Sequence, residues 1–370
     1  MRSFVSPTLF ALRPYEAGKP IEEVERELGI KDPVKLASNE NAWGPSPKAV
    51  AAAQGALASL HLYPDAAGFA LKAALARSLG VDPATLVLGN GSNELLALIV
   101  RTFVQPGDNV VGSAASFIAY KIVTRAVDRE YREVPIGPDL GFDLDAMAAA
   151  VDARTRVVFV ANPNNPTGSF ITRADLDRFL ADVDRRAGPD GPPLVVLDEA
   201  YLEFVDHPAP PDGLAVFRAR PRTILTRTFS KAYGLAGLRV GYAVVEPETA
   251  SFLERVREPF NVNLVGQVAA RAALDDEEWV AATARRVREE RTRVTAALEA
   301  RGLRVTPSQA NFVLVEVGDG AATYDALLRR GFITRPMAAA GLPRHLRITI
   351  GRPDQNDGLI AAFDAVHAAR

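Results

Sequence analysis

Seven short, β-rich runs recur between positions 86 and 245: Leu86-Val87-Leu88, Asn109-Val110-Val111, Tyr131 to Ile136, Arg156 to Val160, Leu194 to Leu197, Thr223 to Thr226 and Val240 to Val245. Amphipathic stretches of helical spacing separate several of them, among them Asn93 to Phe103, Asp143 to Val151 and Arg173 to Val183. Parallel strands cannot be joined by tight turns and need crossovers of a dozen or more residues, usually helices. The alternation therefore predicts an α/β chain with a mainly parallel, helix-covered sheet. On such sheets ligands sit beyond the carboxyl ends of the strands, so the loops there are where chemistry is expected.

The flanking sequence predicts two further pieces. Residues 1–45 form an N-terminal arm, with a short helix through Glu22 to Leu28 and the polar run Asn39-Glu40-Asn41. Residues 46–270 form the large domain, opening on Ser46-Pro47, a helix start with an N-cap serine and proline in the first turn. Residues 271–370 form a small α+β domain, entered through a long charged helix from Asp275 to Arg301 and continuing in half-buried alternation at Asn311 to Val317 and Leu346 to Ile350. A chain of 370 residues exceeds the length at which a single core keeps growing, which agrees with a large and a smaller domain.

Charge and composition exclude several functions. With 43 Lys and Arg against 45 Asp and Glu the net charge is −2, which gives no electrostatic footprint for nucleic acid or an anionic membrane surface. Cysteine is absent, excluding disulfides, thiolate metal sites and cysteine nucleophiles. The four histidines, His61, His207, His345 and His367, show no ligand spacing, and no metal is expected. No run of secretory or membrane-spanning character is present, so a soluble, cytoplasmic protein is expected.

Four stretches carry chemical groups. Gly89-Asn90-Gly91-Ser92-Asn93-Glu94 follows a strand and opens a helix, presenting free N–H groups to an anion. It is also compatible with a plain capped turn, and Glu94 stands where a dinucleotide fingerprint needs its third glycine, which weakens a nicotinamide oxidoreductase reading. Asn162-Pro163-Asn164-Asn165-Pro166-Thr167-Gly168 is a proline-stiffened loop after the strand Val157 to Val160. Leu194 to Leu197 ends in Asp198-Glu199-Ala200-Tyr201, a costly place for a carboxylate without a partner. Thr228-Phe229-Ser230-Lys231 continues through small residues to Arg239, the planar fork suited to phosphate. A lysine for an aldehyde, a carboxylate for a ring nitrogen, an amide and a phenol for a ring hydroxyl, and a Gly-Ser turn with an arginine for a phosphate together match pyridoxal 5′-phosphate.

These blocks, with Pro14-Tyr15, Gly18-Lys19-Pro20, Tyr63-Pro64-Asp65, Arg335-Pro336-Met337 and Leu346-Arg347-Ile348-Thr349-Ile350-Gly351, resemble the histidinol-phosphate aminotransferase family of fold-type I PLP-dependent transferases over essentially the whole length. The resemblance implies that Lys231 bonds the cofactor aldehyde, that Asp198 pairs with the ring nitrogen, and that Asn165 and Tyr201 hold the ring hydroxyl. Gly91, Ser92, Asn93, Thr228, Ser230 and Arg239 would surround the phosphate, Phe117 would stack on the ring, and Tyr63 would reach the phosphate of a neighbouring subunit in a homodimer with shared sites. Arg347 would hold the carboxylate of glutamate or 2-oxoglutarate and Arg335 the phosphate of histidinol phosphate, with Tyr15, Asn41 and Tyr120 as further substrate contacts. An aromatic amino-acid aminotransferase on the same scaffold is the alternative. Two departures, Ala42 where the family usually has proline after Asn41 and Ala115 where a proline often precedes the Ser-Phe pair, both fall near the substrate.

Overall fold

The computed structural model describes residues 4–12, 14–15 and 18–368. All seven runs form strands of one sheet, in the spatial order Leu86–Asn90, Val240–Val244, Thr223–Thr228, Leu194–Asp198, Thr155–Ala161, Asn109–Ser113 and Glu130–Val134. Six point the same way, and Val240–Val244 runs antiparallel between Thr223–Thr228 and Leu86–Asn90. One reversed strand has a direct consequence. Its first residues, at the Arg239 end, lie at the same sheet edge as the carboxyl ends of the others, and Asn90 pairs with Val240. Arg239 and the Gly91 turn, 148 positions apart in the chain, are thereby brought together.

Helices cover both faces. Val87, Val110, Val157, Phe159, Val196 and Ile224 pack with the helix Ser92–Phe103 on one side. Val111, Val158, Val160, Val195, Leu197 and Leu225 pack with the helix Arg173–Arg185 on the other. Strands buried on both faces explain why these runs read as continuous β-branched segments rather than as alternating ones. Each such side chain contributes roughly 1.5–3 kcal/mol of transfer free energy.

The small sheet has the order Arg335–Met337, Leu342–Thr349, Phe312–Glu316 and Arg304–Thr306, all antiparallel. The arm joins this end of the molecule. Val34–Lys35 pairs in parallel with Phe332–Ile333, and Val24 and Ala37 pack on Leu328 and Ile333. The helix Glu277–Glu299 links the parts through the buried Arg291, which donates to the carbonyls of Phe204 (3.3 Å) and Ala310 (2.9 Å) and pairs with Asp206 (3.0 Å). A further helix, Pro7–Ala11, begins on Ser6-Pro7 with the serine accepting from the Leu9 amide. This is the signature that also starts Pro47–Ala56, and the same reasoning applies to both.

Candidate active site

The carboxyl edge of the large sheet faces a residue of the four-stranded sheet, Arg347, across a cleft of about 180 Å³. Tyr15, Ser92, Asn93, Phe117, Tyr120, Asn165, Asp198, Tyr201, Thr228, Lys231, Arg239 and Arg347 line it. Gly91 and Ser230 stand directly behind, against the Arg239 guanidinium. Residues scattered over more than three hundred positions converge because the loops that follow five strands open at one edge.

Asp198 ends the strand Leu194–Asp198 and is 4% exposed. Its Oδ2 accepts a 2.7 Å hydrogen bond from the Tyr120 hydroxyl, whereas its Oδ1 is buried with no partner. Burial pushes the carboxyl up to about 6, with the Tyr120 hydrogen bond opposing the rise. An unsatisfied buried carboxylate oxygen is expensive, and a protonated ring nitrogen is a group that would satisfy it.

Lys231 follows the strand Thr223–Thr228 and points its Nζ at the Ser38 carbonyl (3.2 Å), with the Tyr201 ring 5.8 Å away. Burial, and then repulsion from Arg347, draw its amine down to about 8. A lysine so poised is neutral in about a tenth of molecules at pH 7, far more than an ordinary lysine, and can act as nucleophile or base. Tyr201 is buried, and its hydroxyl accepts from the Asn39 side-chain amide at 2.9 Å.

An anion cradle lies at the other end of the cleft. The helix Ser92–Phe103 begins there, and Gly91 precedes it at φ 75°. A Cβ on Gly91 would lie 2.3 Å from Arg239 Nη2, and one on Gly241 would lie 2.4 Å from the Ser92 amide nitrogen. Glycine at both places lets the guanidinium and the helix start close on the same point. Arg239, itself in the left-handed region at φ 55°, donates to Ser230 Oγ (3.4 Å) and to the Ala236 carbonyl (3.1 Å). The Ser230 amide donates to Thr228 Oγ1 (3.1 Å). Helix N-terminus, hydroxyls and guanidinium are the donor set that a phosphate monoester requires.

Arg347, on the strand Leu342–Thr349, enters from the four-stranded sheet. It donates to Asn165 Oδ1 at 2.5 Å and to the Ala37 carbonyl at 2.6 Å, while its Nε is buried without a partner. Arg335 stands directly opposite Arg347 on the neighbouring strand, with its guanidinium 5.8 Å from the Tyr15 ring. Phe117 sits edge-on to Tyr120, with centroids 5.7 Å apart.

Several residues hold positions the sequence did not suggest. Tyr120, expected to contact substrate, lines the cleft and donates its hydroxyl to Asp198 Oδ2. Asn41, also expected against substrate, lies outside the cleft lining. Its amide donates to the Ala232 carbonyl and its oxygen accepts from the Trp43 amide, both at 2.9 Å, which pins the arm to the Lys231 loop. Tyr63 is 81% exposed and stacks on Phe260 at 4.6 Å, away from this cleft. Asn39, not singled out in the sequence, holds Tyr201 and takes the left-handed backbone at φ 54°, a conformation asparagine tolerates better than most residues. Asn164 is a second buried scaffold. It bonds the Ala115 carbonyl, Thr167 Oγ1 and Ser116 Oγ and so ties the Phe117 loop to the Asn165 loop.

A lysine amine of lowered basicity, an orphaned carboxylate oxygen and an anion cradle within one cleft fit an aromatic aldehyde phosphate with a basic ring nitrogen. The chain belongs to the aminotransferase class I and II family, whose model matches residues 31–363. Similar proteins include the histidinol-phosphate aminotransferase of Anaeromyxobacter sp. (strain Fw109-5), 48% identical over 99% of this chain and 99% of that protein. Histidinol-phosphate aminotransferase 2 of Pseudomonas aeruginosa is 47% identical over 99% and 98%. Among solved structures, histidinol-phosphate aminotransferase from Sinorhizobium meliloti in complex with pyridoxal 5′-phosphate matches with a TM-score of 0.88 and 32% identity, over 100% of this chain and 99% of that one. An aspartate aminotransferase from Thermus thermophilus shares the fold, with a TM-score of 0.84 at 22% identity.

Proposed function

We propose that this protein is a pyridoxal 5′-phosphate-dependent aminotransferase that moves the amino group of L-histidinol phosphate to 2-oxoglutarate, giving imidazole-acetol phosphate and glutamate in histidine biosynthesis. The observation that carries the reading is the single cleft that holds Lys231, Asp198 and Arg347, with Arg335 in register opposite Arg347 on the neighbouring strand. The near-full-length identity to histidinol-phosphate aminotransferases supports the same substrate.

Pyridoxal phosphate, when bound, supplies the electron-withdrawing ring that accepts the electron pair left by the α-proton. Every other task falls to the protein. Lys231 would hold the aldehyde, and its neutral Nζ would be the base that takes up the substrate's α-proton and later gives it back. Asp198 keeps the ring nitrogen protonated. Asn165 and Tyr201 would hold the ring hydroxyl, and Ser92, Asn93, Thr228, Ser230 and Arg239 the phosphate, with Gly91 leaving room for the guanidinium. Phe117, on the cleft wall, would pack against the ring. Arg347 binds the carboxylate of the glutamate half-reaction, and Arg335 with Tyr15 receives the phosphate of the amino donor.

The protein works as a homodimer in this reading. Leu57, Leu60, Leu62, Tyr63 and Phe69 are all more than half exposed within thirteen residues, and clustered exposed apolar side chains of this kind mark an interaction surface. Tyr63 then completes the phosphate site of the partner subunit. A cytoplasmic location accords with the biosynthetic role, and no helix among the described residues is long and apolar enough to cross a membrane.

The decisive experiment supplies the purified protein with pyridoxal phosphate and follows glutamate formation from 2-oxoglutarate with histidinol phosphate or phenylalanine as donor. The proposal expects a visible-edge absorbance removed by borohydride, and a marked preference for histidinol phosphate. Absence of the band after cofactor addition would sink the cofactor assignment, and a preference for phenylalanine would sink the substrate.

A further inference from the structure

The phenol that meets the Asp198 carboxylate is that of Tyr120, whose hydroxyl oxygen lies 2.7 Å from Oδ2 and donates to it. Tyr120 is fully buried, and its ring is fixed independently of that hydrogen bond. It stacks on Phe159 at 4.5 Å and 5°, with Phe117 edge-on at 5.7 Å. Its place is set by the helix Ala119–Ala126, while Asp198 is set by the strand Leu194–Asp198, paired on one side with Thr155–Ala161 and on the other with Thr223–Thr228. Two rigid elements therefore define the distance between phenol and carboxylate. Of the two carboxylate oxygens one is satisfied and the other is not.

We propose that Tyr120 is a positioning residue for Asp198: its hydroxyl occupies Oδ2, fixes the carboxylate plane so that Oδ1 is the oxygen left for a ring N–H, and favours the ionised carboxylate. The inference rests on the cofactor reading above. It also separates Tyr120 from Tyr201, whose hydroxyl is held by Asn39 instead.

The charged and titratable surroundings of Asp198 come from every neighbouring element. Tyr120 lies on the covering helix with Tyr131 beyond it, Thr226 on the adjoining strand, Glu199 and Tyr201 next along the chain, and Lys231 in the following loop. Glu199 is itself held by Arg227 at 2.8 Å. Thr226 and the Ala200 amide also favour the ionised carboxylate, after Tyr120, and Tyr120 is the side chain that donates to it at 2.7 Å. Removing a donor to the ionised form disfavours that form, so the carboxyl titrates at higher pH without it.

The test is Tyr120→Phe, which keeps the ring and its stack on Phe159. In the cofactor-free protein the Asp198 side-chain carboxyl is followed by carbon-13 NMR against pH, with Asp198→Asn identifying its resonance. A hydrogen bond to a charged group predicts a midpoint about 1 to 2 pH units higher in Tyr120→Phe. The acid limb of the half-reaction with amino donor should move in the same direction, with KM for the donor unchanged. An unshifted Asp198 midpoint overturns the inference. So does a raised KM with an unmoved pH profile, because Tyr120 would then be a substrate contact. Failure of the wild type to capture pyridoxal phosphate overturns the cofactor reading itself, and it is distinguishable because it is read on the unaltered protein.

Discussion

Arg335 and Arg347 stand opposite one another in antiparallel register on the strands Arg335–Met337 and Leu342–Thr349. Arg347 is 9% exposed and committed to Asn165 and Ala37, whereas Arg335 is half-buried beside Tyr15 and outside the cleft lining. The inner guanidinium therefore suits a group common to both half-reactions, and the outer one suits a group at the far end of a single substrate. Arg335→Leu is expected to lower kcat/KM for histidinol phosphate by about 100-fold or more, the scale of a lost charge-assisted contact, while sparing phenylalanine. Arg347→Leu should impair glutamate and 2-oxoglutarate turnover whichever donor is used. Equal losses on the two donors in Arg335→Leu would remove the phosphate role.

Asp198 lends itself to a stability measurement. Its carboxyl is raised from 3.8 to about 6 in the folded chain. Between those values the folded protein binds the extra proton, so its stability increases as pH falls through 6, and above 6 the destabilisation is fully present. Asp198→Asn is therefore expected to stabilise the cofactor-free protein at pH 8 by about 1–3 kcal/mol while abolishing transamination. Urea denaturation of both forms at pH 8 and pH 5 checks this. A variant no more stable than wild type at pH 8 would show that the carboxylate is satisfied before the cofactor arrives.

Lys231 sets the pH dependence of cofactor capture. Only the neutral amine attacks an aldehyde, and this one titrates near 8 rather than at its ordinary 10.5. The rate at which cofactor-free protein takes up pyridoxal phosphate, followed by absorbance, should climb with pH and level off just above 8. A rate still rising steeply at pH 10 would mean that burial and Arg347 leave the amine unperturbed.

Gly91→Ala addresses the phosphate cradle. The added methyl meets Arg239 Nη2 at 2.3 Å, on a backbone at φ 75° that L side chains rarely adopt. The guanidinium must swing away, and cofactor affinity should fall about 10- to 100-fold, corresponding to roughly 1.4–2.7 kcal/mol. KM for the amino donor at saturating cofactor should change little. Equilibrium titration with pyridoxal phosphate reads the first quantity and steady-state kinetics the second.

The strands of the large sheet were legible because burial on both faces demands uninterrupted β-branched runs, and the loops after them because chemistry needs unusual residues in fixed order. Lys231, Asp198, Asn165 and Arg239 were visible on that basis, and all four line one cleft. The tasks of Tyr120, Asn39 and Asn41 were not. Each depends on hydrogen bonds between residues 78 to 191 positions apart, and side-chain periodicity carries no information about which distant polar atom a phenol or amide will meet. The reversed strand Val240–Val244 was equally hidden, since a doubly buried run reads the same in either direction.

Sharing of sites between subunits can be read by mixing two damaged chains. Tyr63 is exposed here and lies outside its own chain's cleft, so a shared site takes Tyr63 from one subunit and Lys231 from the other. Lys231→Ala is inactive in its own cleft, and Tyr63→Ala damages the cleft of its partner. Refolded together in equal amounts, half of the dimers are mixed, and each mixed dimer regains one intact site of two, for about a quarter of wild-type activity. Tyr63→Ala alone should show weakened cofactor affinity. If the mixture has only the summed activity of the separate variants although mixed dimers form, Tyr63 serves no neighbouring site and each subunit works with its own residues alone.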